Sequence, residues 1–562
     1  MLQRPLLALA LASALAAPAA AVANDYNAST AAGFTTALSQ AASHVGADRV
    51  VLAAGTYTGQ FTYAGDALEV VGAGRALTTI AASGGSAFYT GSPVDLHDLG
   101  FSVTAAGIRP VWLTGTETME HVSVHLGPSA TYGIVMDGAG FSLSDVAVVS
   151  DGTSPALVEL LTGHAVLDDI RTTGGSEGIS IADDGTTATI THAIVRRPIY
   201  YGIGSQFGAA TTVSDALVDM RNNGNSGLAL LVDDNGGSNY SHTGSLEADR
   251  VTLVGDGPSQ RGVAVYATGP ADHYSATLRD AIVTGFGTPL SCSESTASDV
   301  ATLATFTSAV PASPNDASCG GLTQTDRIAA TPLFADAASG NFHLAGASLV
   351  DAGSAGAVGA ATDLDGLPRL VDGDCDGTAR VDPGAYETQH SAPVVAAAAD
   401  PVAAMTGQGL TFSGSGAATY AWSFDDGAIA DGASVSHAFA TAGPHAATLT
   451  GRDAAGCAAN AGVTVTITQA LPPTAGADRK APRISKARLR NGVLSFTLSE
   501  AARVRIGTTR VHAAKTRTVR AHAGVDRVKL KLARGSYRLT LRATDAAGNV
   551  SPTKRIAVSV RR

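Results

Sequence analysis

The chain has 562 residues, room for three or four domains, and with 45% hydrophobic and 15% charged residues it is not disordered in bulk. Its net charge of −11 hides a split: residues 1–478 carry 15 Lys+Arg against 45 Asp+Glu, a net of −30, and residues 479–562 carry 22 against 3, a net of +19. No apolar run beyond residue 23 is long enough to cross a bilayer, so no membrane span is expected.

At the N-terminus, Arg4, an apolar stretch over 6–17 and the small-residue end Ala21-Val22-Ala23 have the layout of a signal peptide over residues 1–23. The mature chain is expected to begin at Asn24 and to be secreted or held at the cell surface, where disulfides persist. Phe34, Leu38, Ala41 and Val45 then fall at helical spacing, just before the strand-like Arg49-Val50-Val51-Leu52.

Between residues 90 and 290 a short motif recurs, a polar residue followed by alternating apolar ones. Its Asp/His position falls at 98, 121, 145, 169, 192, 215, 249 and 280, spaced by 23, 24, 24, 23, 23, 34 and 31. The penultimate copy reads equally well from Arg250 if the register slips by one. A second column, Ile134, Leu157, Ile179, Ile203, Leu228 and Val263, lengthens at the same rung. A period of this size with short apolar alternations is a solenoid of strands. The leucine-rich consensus is absent and no copy holds a helical segment. The fold class is therefore all-β, a parallel β-helix over residues 24–390 whose N-terminal helix caps the open end. Extra residues of the long rungs are assigned to loops over 233–246 and 255–261. The repeating Asp/His position sits at the bend between two strands, where Asp tolerates the left-handed conformation, and is given a structural role.

Two segments carry a family resemblance. Residues 34–80, with Gly55-Thr56-Tyr57 and Val70-Val71-Gly72-Ala73-Gly74, resemble the start of right-handed parallel β-helix proteins related to pectate lyases. Thr331-Pro332-Leu333-Phe334, Val350-Asp351-Ala352-Gly353, Asp363-Leu364-Asp365-Gly366-Leu367-Pro368-Arg369 and Asp382-Pro383-Gly384-Ala385-Tyr386-Glu387 are similar to the closing segment of secreted bacterial β-helix proteins. The resemblance implies a fold and a surface location, not a reaction. Cys292 and Cys319 flank a loop rich in Ser, Thr and Pro, and a disulfide between them is expected. The partners of Cys375 and Cys457 stay open.

Residues 391–400 read as an Ala/Pro linker at the start of a second module, 391–470. Tyr420-Ala421-Trp422-Ser423-Phe424-Asp425-Asp426-Gly427, Ser436-His437-Ala438-Phe439 and Ala442-Gly443 resemble the polycystic-kidney-disease (PKD) β-sandwich, with Asp425 where the family has Gly and His445 where Tyr is commoner. Trp422, alternating with Tyr420 and Phe424, is assigned to the core. After a linker over 471–480, residues 481–562 read as short alternating strands, and Asp545-Ala546-Ala547-Gly548-Asn549-Val550-Ser551 closes a segment resembling a bacterial immunoglobulin-like module. Cations alternate with apolar residues there. Lys529, Lys531, Arg538 and Arg542 are expected to face solvent and bind a cell-wall polyanion. Nucleic acid is not the expected partner of an exported chain.

Chemistry is harder to read. The chain has no lysine before Lys480, which removes any lysine base from the β-helix, and the Asn-Thr-Asp and Gly-His-Gly motifs of polygalacturonases are missing. The turn after the Ile134 column carries Asp137, Glu159, Asp183, Asp184, Asp233 and Asp234, candidates for catalytic carboxylates. Asp is also simply a favoured turn residue. Asp372-Gly373-Asp374-Cys375-Asp376-Gly377 opens like a calcium loop, with Asp382 one residue short of the expected acidic ligand, so Asp372, Asp374, Asp376 and Asp382 are candidate Ca²⁺ ligands. The expected function is binding: a modular surface protein whose β-helix meets a polysaccharide or surface partner and whose basic module anchors it. The alternatives are a polysaccharide lyase or glycoside hydrolase using the acidic groove, and a purely structural stalk.

Overall fold

A computed structural model describes residues 24–561, except 83, 105–108, 154–155, 225–226, 235–239, 313–314, 356–360, 391, 455, 470–477 and 512. The expected signal peptide and most of the linker over 471–480 lie outside the described residues. Because each repeat offers three short strands, each one pairs in parallel with its equivalent one rung on. Three sheets result, wrapped about one apolar core. The first runs through Val94–His97, Thr187–Thr191, Ala210–Ser214, Thr243–Asp249 and His273–Arg279. The second runs through Gly100–Val103, Ile194–Arg196, Leu217–Asp219 and Thr252–Val254. The third runs through Phe88–Thr90, Val111–Leu113, Glu177–Ile181, Tyr201–Gln206, Leu228–Asp233 and Arg261–Ala267. Val122, Val146 and Ile170 pair in register and are fully buried, so they form one inward column.

The bend between the first and second sheets is a single left-handed residue. It recurs at Asp98, His121, Asp145, Asp169, His192, Asp215 and Asp280, with φ between 48° and 56°. At the disputed rung the residue is Arg250 (φ 52°), so the slipped register is the real one. The column continues to Thr307 and Asp326, two rungs that the sequence does not announce.

The helix Ala31–Ser43, N-capped by the Thr30 hydroxyl, buries Phe34, Ala37, Leu38 and Ala41 over the first rung. Phe34 packs on Phe61 with ring centroids 4.4 Å apart. Val45, expected on this apolar face, lies past the helix end and is exposed.

At the other end the closing segment folds back on the outer face of the second sheet. Phe342, Ala385 and Tyr386 pack there on Leu217 and Val254, and Leu349 packs on Ile282 and Ala309. Its docking is ionic as well as apolar. Arg369 Nη2 reaches Asp215 Oδ1 at 2.7 Å, and Arg250 Nε reaches the same oxygen at 2.9 Å. Arg369 also lies 3.4 Å from Glu387, whose carboxyl burial pushes up to about 8.

Cys292 is bonded to Cys319, and Cys375 to Cys457, the second bridge tying the closing segment to the next module. That module is a sandwich of three and five strands. Its first strand, Ala396–Asp400, corrects the linker reading: the four consecutive alanines and Asp400 pair antiparallel with Thr411–Ser415. Trp422 is buried among Phe412, Phe424 and Phe439, and its Nε1 donates to the Gly432 carbonyl. The two departures from the family pattern pair with each other, His445 Nδ1 lying 2.8 Å from Asp425 Oδ1. The basic module is a second sandwich. Ile484–Arg490, Val493–Leu498 and Gly524–Lys529 face Ala513–Ala521, Ala502–Arg510, Gly535–Thr544 and Lys554–Val560 around Leu494, Phe496, Ile506 and Leu541. Among the described residues no helix is long and apolar enough to cross a membrane.

Candidate functional site

Outward side chains of the third sheet sit on rungs ~4.8 Å apart, so each column is a row of closely spaced groups. One column reads Trp112, Val135, Glu159, Ser180, Gly204, Leu231 and Ala264. Beside it run Tyr132, Ala156, Glu177, Tyr201, Leu228 and Arg261. Glu159 therefore stands on a strand, not in the turn where its neighbours in sequence placed it.

Burial, with Glu177 and Asp183 nearby, lifts the Glu159 carboxyl to about 7, against the opposing pull of Arg109. Its Oε2 is buried and makes no hydrogen bond. Burial also raises Glu177, whose Oε2 accepts from the Tyr201 hydroxyl at 2.8 Å. That hydroxyl lies 3.0 Å from Ser180 Oγ and 2.8 Å from Gln206 Oε1, while Gln206 Nε2 donates to Asp233 Oδ1 at 2.8 Å. Burial and the Glu177 charge hold the phenol well above its ordinary range. The Tyr201 ring lies across Gly204, where a Cβ would come within 2.6 Å of it. Toward the N-terminal end, Arg109 stacks over Trp112 at 4.6 Å and Tyr132 at 5.9 Å, and Tyr89 meets Trp112 at 5.0 Å. Trp112 Nε1 and Arg261 Nε are buried without a hydrogen-bond partner. The face thus combines aromatic surface, a carboxyl poised near neutrality and buried polar atoms with spare hydrogen-bonding capacity.

Of the six candidate carboxylates, only Glu159 and Asp233 reach this face. Asp137 accepts from the Thr162 hydroxyl at a bulge. Asp183 takes a left-handed turn conformation, and Asp184 pairs with His242 at 3.0 Å. Asp234 accepts from the Thr268 hydroxyl. These four hold the corner leading into the first sheet. Glu177 and Tyr201 went unnoticed in the sequence, although they stand one period apart in the Tyr132 column.

The expected calcium ligands separate likewise. Carboxylate oxygens of Asp372 and Asp374 come within 4.8 Å of one another and of Asp351, and Asp372 Oδ1 is buried without a hydrogen bond. Asp376 turns aside to cap the Thr378 amide, and Asp382 groups with Asp351 and Glu387 instead. The four singled-out cations are all exposed but occupy two places. Lys529 and Lys531 flank an opening between the two sheets, beside Lys515 and Arg517. Arg538 and Arg542 lie on the outer face of the four-stranded sheet.

Residues 390–468 match the PKD domain family. No curated protein matches the chain. Among solved structures, the A-module of the Azotobacter vinelandii mannuronan C-5 epimerase AlgE6 is 13% identical, covering 55% of this chain and 97% of its own, with a TM-score of 0.26. Fibronectin(III)-like modules of Clostridium thermocellum CbhA are 11% identical over 30% of this chain and 94% of theirs, with a TM-score of 0.13. Carbohydrate-binding modules of the β-sandwich superfamily are 12% identical over 26% of this chain and 86% of theirs, with a TM-score of 0.15. Likenesses this slight carry no argument about ligand or reaction.

Proposed function

We propose that this is an exported, surface-associated protein whose β-helix binds a polysaccharide along the outward face of its third sheet, held at the surface by its basic module. The observation that carries the reading is the set of buried polar atoms without partners, Trp112 Nε1, Glu159 Oε2 and Arg261 Nε, spread along successive rungs of a face that has the Tyr89, Trp112 and Tyr132 rings toward its N-terminal end. Buried polar groups are normally satisfied, and a polyhydroxylated chain supplies both hydrogen bonds and flat apolar faces. Retention of the mature protein on immobilised neutral and acidic polysaccharides tests it. Trp112→Ala and Tyr201→Phe should reduce retention; unchanged retention in both would remove the β-helix from the binding role.

A second reading, carbohydrate-active chemistry, is favoured by one specific feature: Glu159, near 7, adjoins a second carboxyl, Glu177. An acid titrating near the working pH suits proton transfer to a leaving oxygen, an effect worth roughly 10²–10⁴-fold. New reducing or unsaturated ends appearing with wild type but not with Glu159→Gln, at equal retention, would establish it. For the calcium expectation, we read Asp351, Asp372 and Asp374 as the carboxylates that fit a hard, oxygen-seeking cation.

A further inference from the structure

The basic module does not spread its charge evenly. Its four-stranded sheet turns Val504, Ile506, Leu539 and Leu541 inward. By alternation, Arg503, Arg505, Arg538 and Arg542 turn outward, and strand pairing adds Arg520 opposite Arg503 and Arg555 opposite Thr540. All six are exposed, and all are arginines. The module's three carboxylates lie elsewhere. Asp526 is on the other sheet, where it accepts from the His522 amide, and Glu500 and Asp545 gather with Asp478.

Two of the pairs are direct cross-strand neighbours, Arg503 with Arg520 and Arg505 with Arg542. Like charges placed so cost stability, and no carboxylate on this face relieves them. The six form a diagonal band across rows ~6.8 Å apart. Thr516, Thr518 and Thr540 lie between them on the same face.

We infer that this face binds a linear acidic polysaccharide, with arginine forks on its carboxylates and threonine hydroxyls on its sugar oxygens. The inference rests on the anchor reading and narrows it to one surface and one ligand class. A guanidinium presents paired donors that match a carboxylate, which a lysine does not. Among the described residues the face holds no aromatic ring, so it lacks the stacking platform that a single-stranded nucleic acid needs.

The test uses the full mature chain and two charge-matched double variants, R505Q/R542Q on the face and K529Q/K531Q at the inter-sheet opening. Binding to polygalacturonate is measured across a salt series, with inorganic polyphosphate as the competing probe. Wild type should bind at low salt and release at high salt. R505Q/R542Q should lose about tenfold in affinity and lower the log–log salt slope by about 2, one for each contact removed. K529Q/K531Q, at the opening apart from this face, should lose clearly less than R505Q/R542Q. R505K/R542K, with charge kept, should recover the salt slope but not the full affinity. The melting temperature of R505Q/R542Q should not fall, which separates lost binding from lost fold. Equal losses in the two double variants would overturn the face while leaving the anchor standing. No retention of wild type on either polymer would sink the anchor itself. Preference for polyphosphate over polygalacturonate would overturn the polysaccharide assignment.

Discussion

Ile170→Ala tests the rung register most directly. Ile170 is fully buried between Val146 above and Ala193 below. The substitution removes three carbons from a stack whose neighbours are fixed ~4.8 Å apart by hydrogen bonds on either side, so the column cannot collapse into the space. Truncations of this kind cost about 2–5 kcal/mol, and poor collapse points to the upper half, ~3–5 kcal/mol. In a β-helix running over residues 25–325 each kcal/mol moves the midpoint by about 2 °C, the low end for large domains. A fall of roughly 6–10 °C in the β-helix transition is therefore expected by scanning calorimetry. Val166→Ala is the matched control: it lies on the same rung but points outward and is 42% exposed. It should cost no more than about 1 kcal/mol. Equal falls for the two variants would show that the inward and outward faces are wrongly assigned.

Replacing Cys375 and Cys457 by Ser opens a bridge spanning 82 residues; the chain-entropy model puts that at about 4.5 kcal/mol, read as a lower calorimetric midpoint and faster proteolysis near residue 391. Calcium in excess should raise the melting midpoint and EDTA should lower it, with Asp374→Ala indifferent to both; at a hundredfold excess over Kd the linkage is ~2.7 kcal/mol. The Glu159 carboxyl, at about 7 in the folded chain and near its ordinary 4.5 when unfolded, keeps a proton on folding. Its contribution to stability is thus lost as pH rises from about 4.5 to about 7. Urea midpoints at pH 5 and pH 8 should therefore differ more for wild type than for Glu159→Gln, and parallel behaviour would mean that Glu159 is ionised throughout.

What the sequence could show depended on what each position must do. Inward positions must be apolar on every rung, so Val122, Val146 and Ile170 repeat visibly, and the bend demands a residue tolerant of positive φ, so Asp recurs there. Neither demand fixes an outward position. Glu177 and Tyr201 are outward, do not repeat, and look like any strand residue until the columns are laid side by side. Thr307 and Asp326 fell from view because their rungs are broken by irregular segments. In the basic module, alternation correctly places cations outside. It cannot tell which sheet they belong to, and so Lys529 and Arg542 looked like one surface.

The exception in the repeat explains the closing motif. Arg250 is an expensive choice for a left-handed position, since Asp and His tolerate positive φ better. It stands one rung from Asp215, whose side chain is fully buried and takes a guanidinium from Arg250 and another from Arg369. Without Arg369 the buried cluster would hold Glu387 with no cation beside it; without Arg250, Asp215 would depend on the closing segment alone. Asp280, the next bend residue, accepts from the Ser354 amide at 2.8 Å, and Asp363 accepts from the Leu367 and Glu387 amides. The Asp-Leu-Asp-Gly-Leu-Pro-Arg and Asp-Pro-Gly-Ala-Tyr-Glu segments are thus fitted to the bend column through Arg369 as well as to the apolar outer face of the second sheet through Ala385 and Tyr386. A column that began as a conformational necessity has become the dock on which the last segment closes the β-helix.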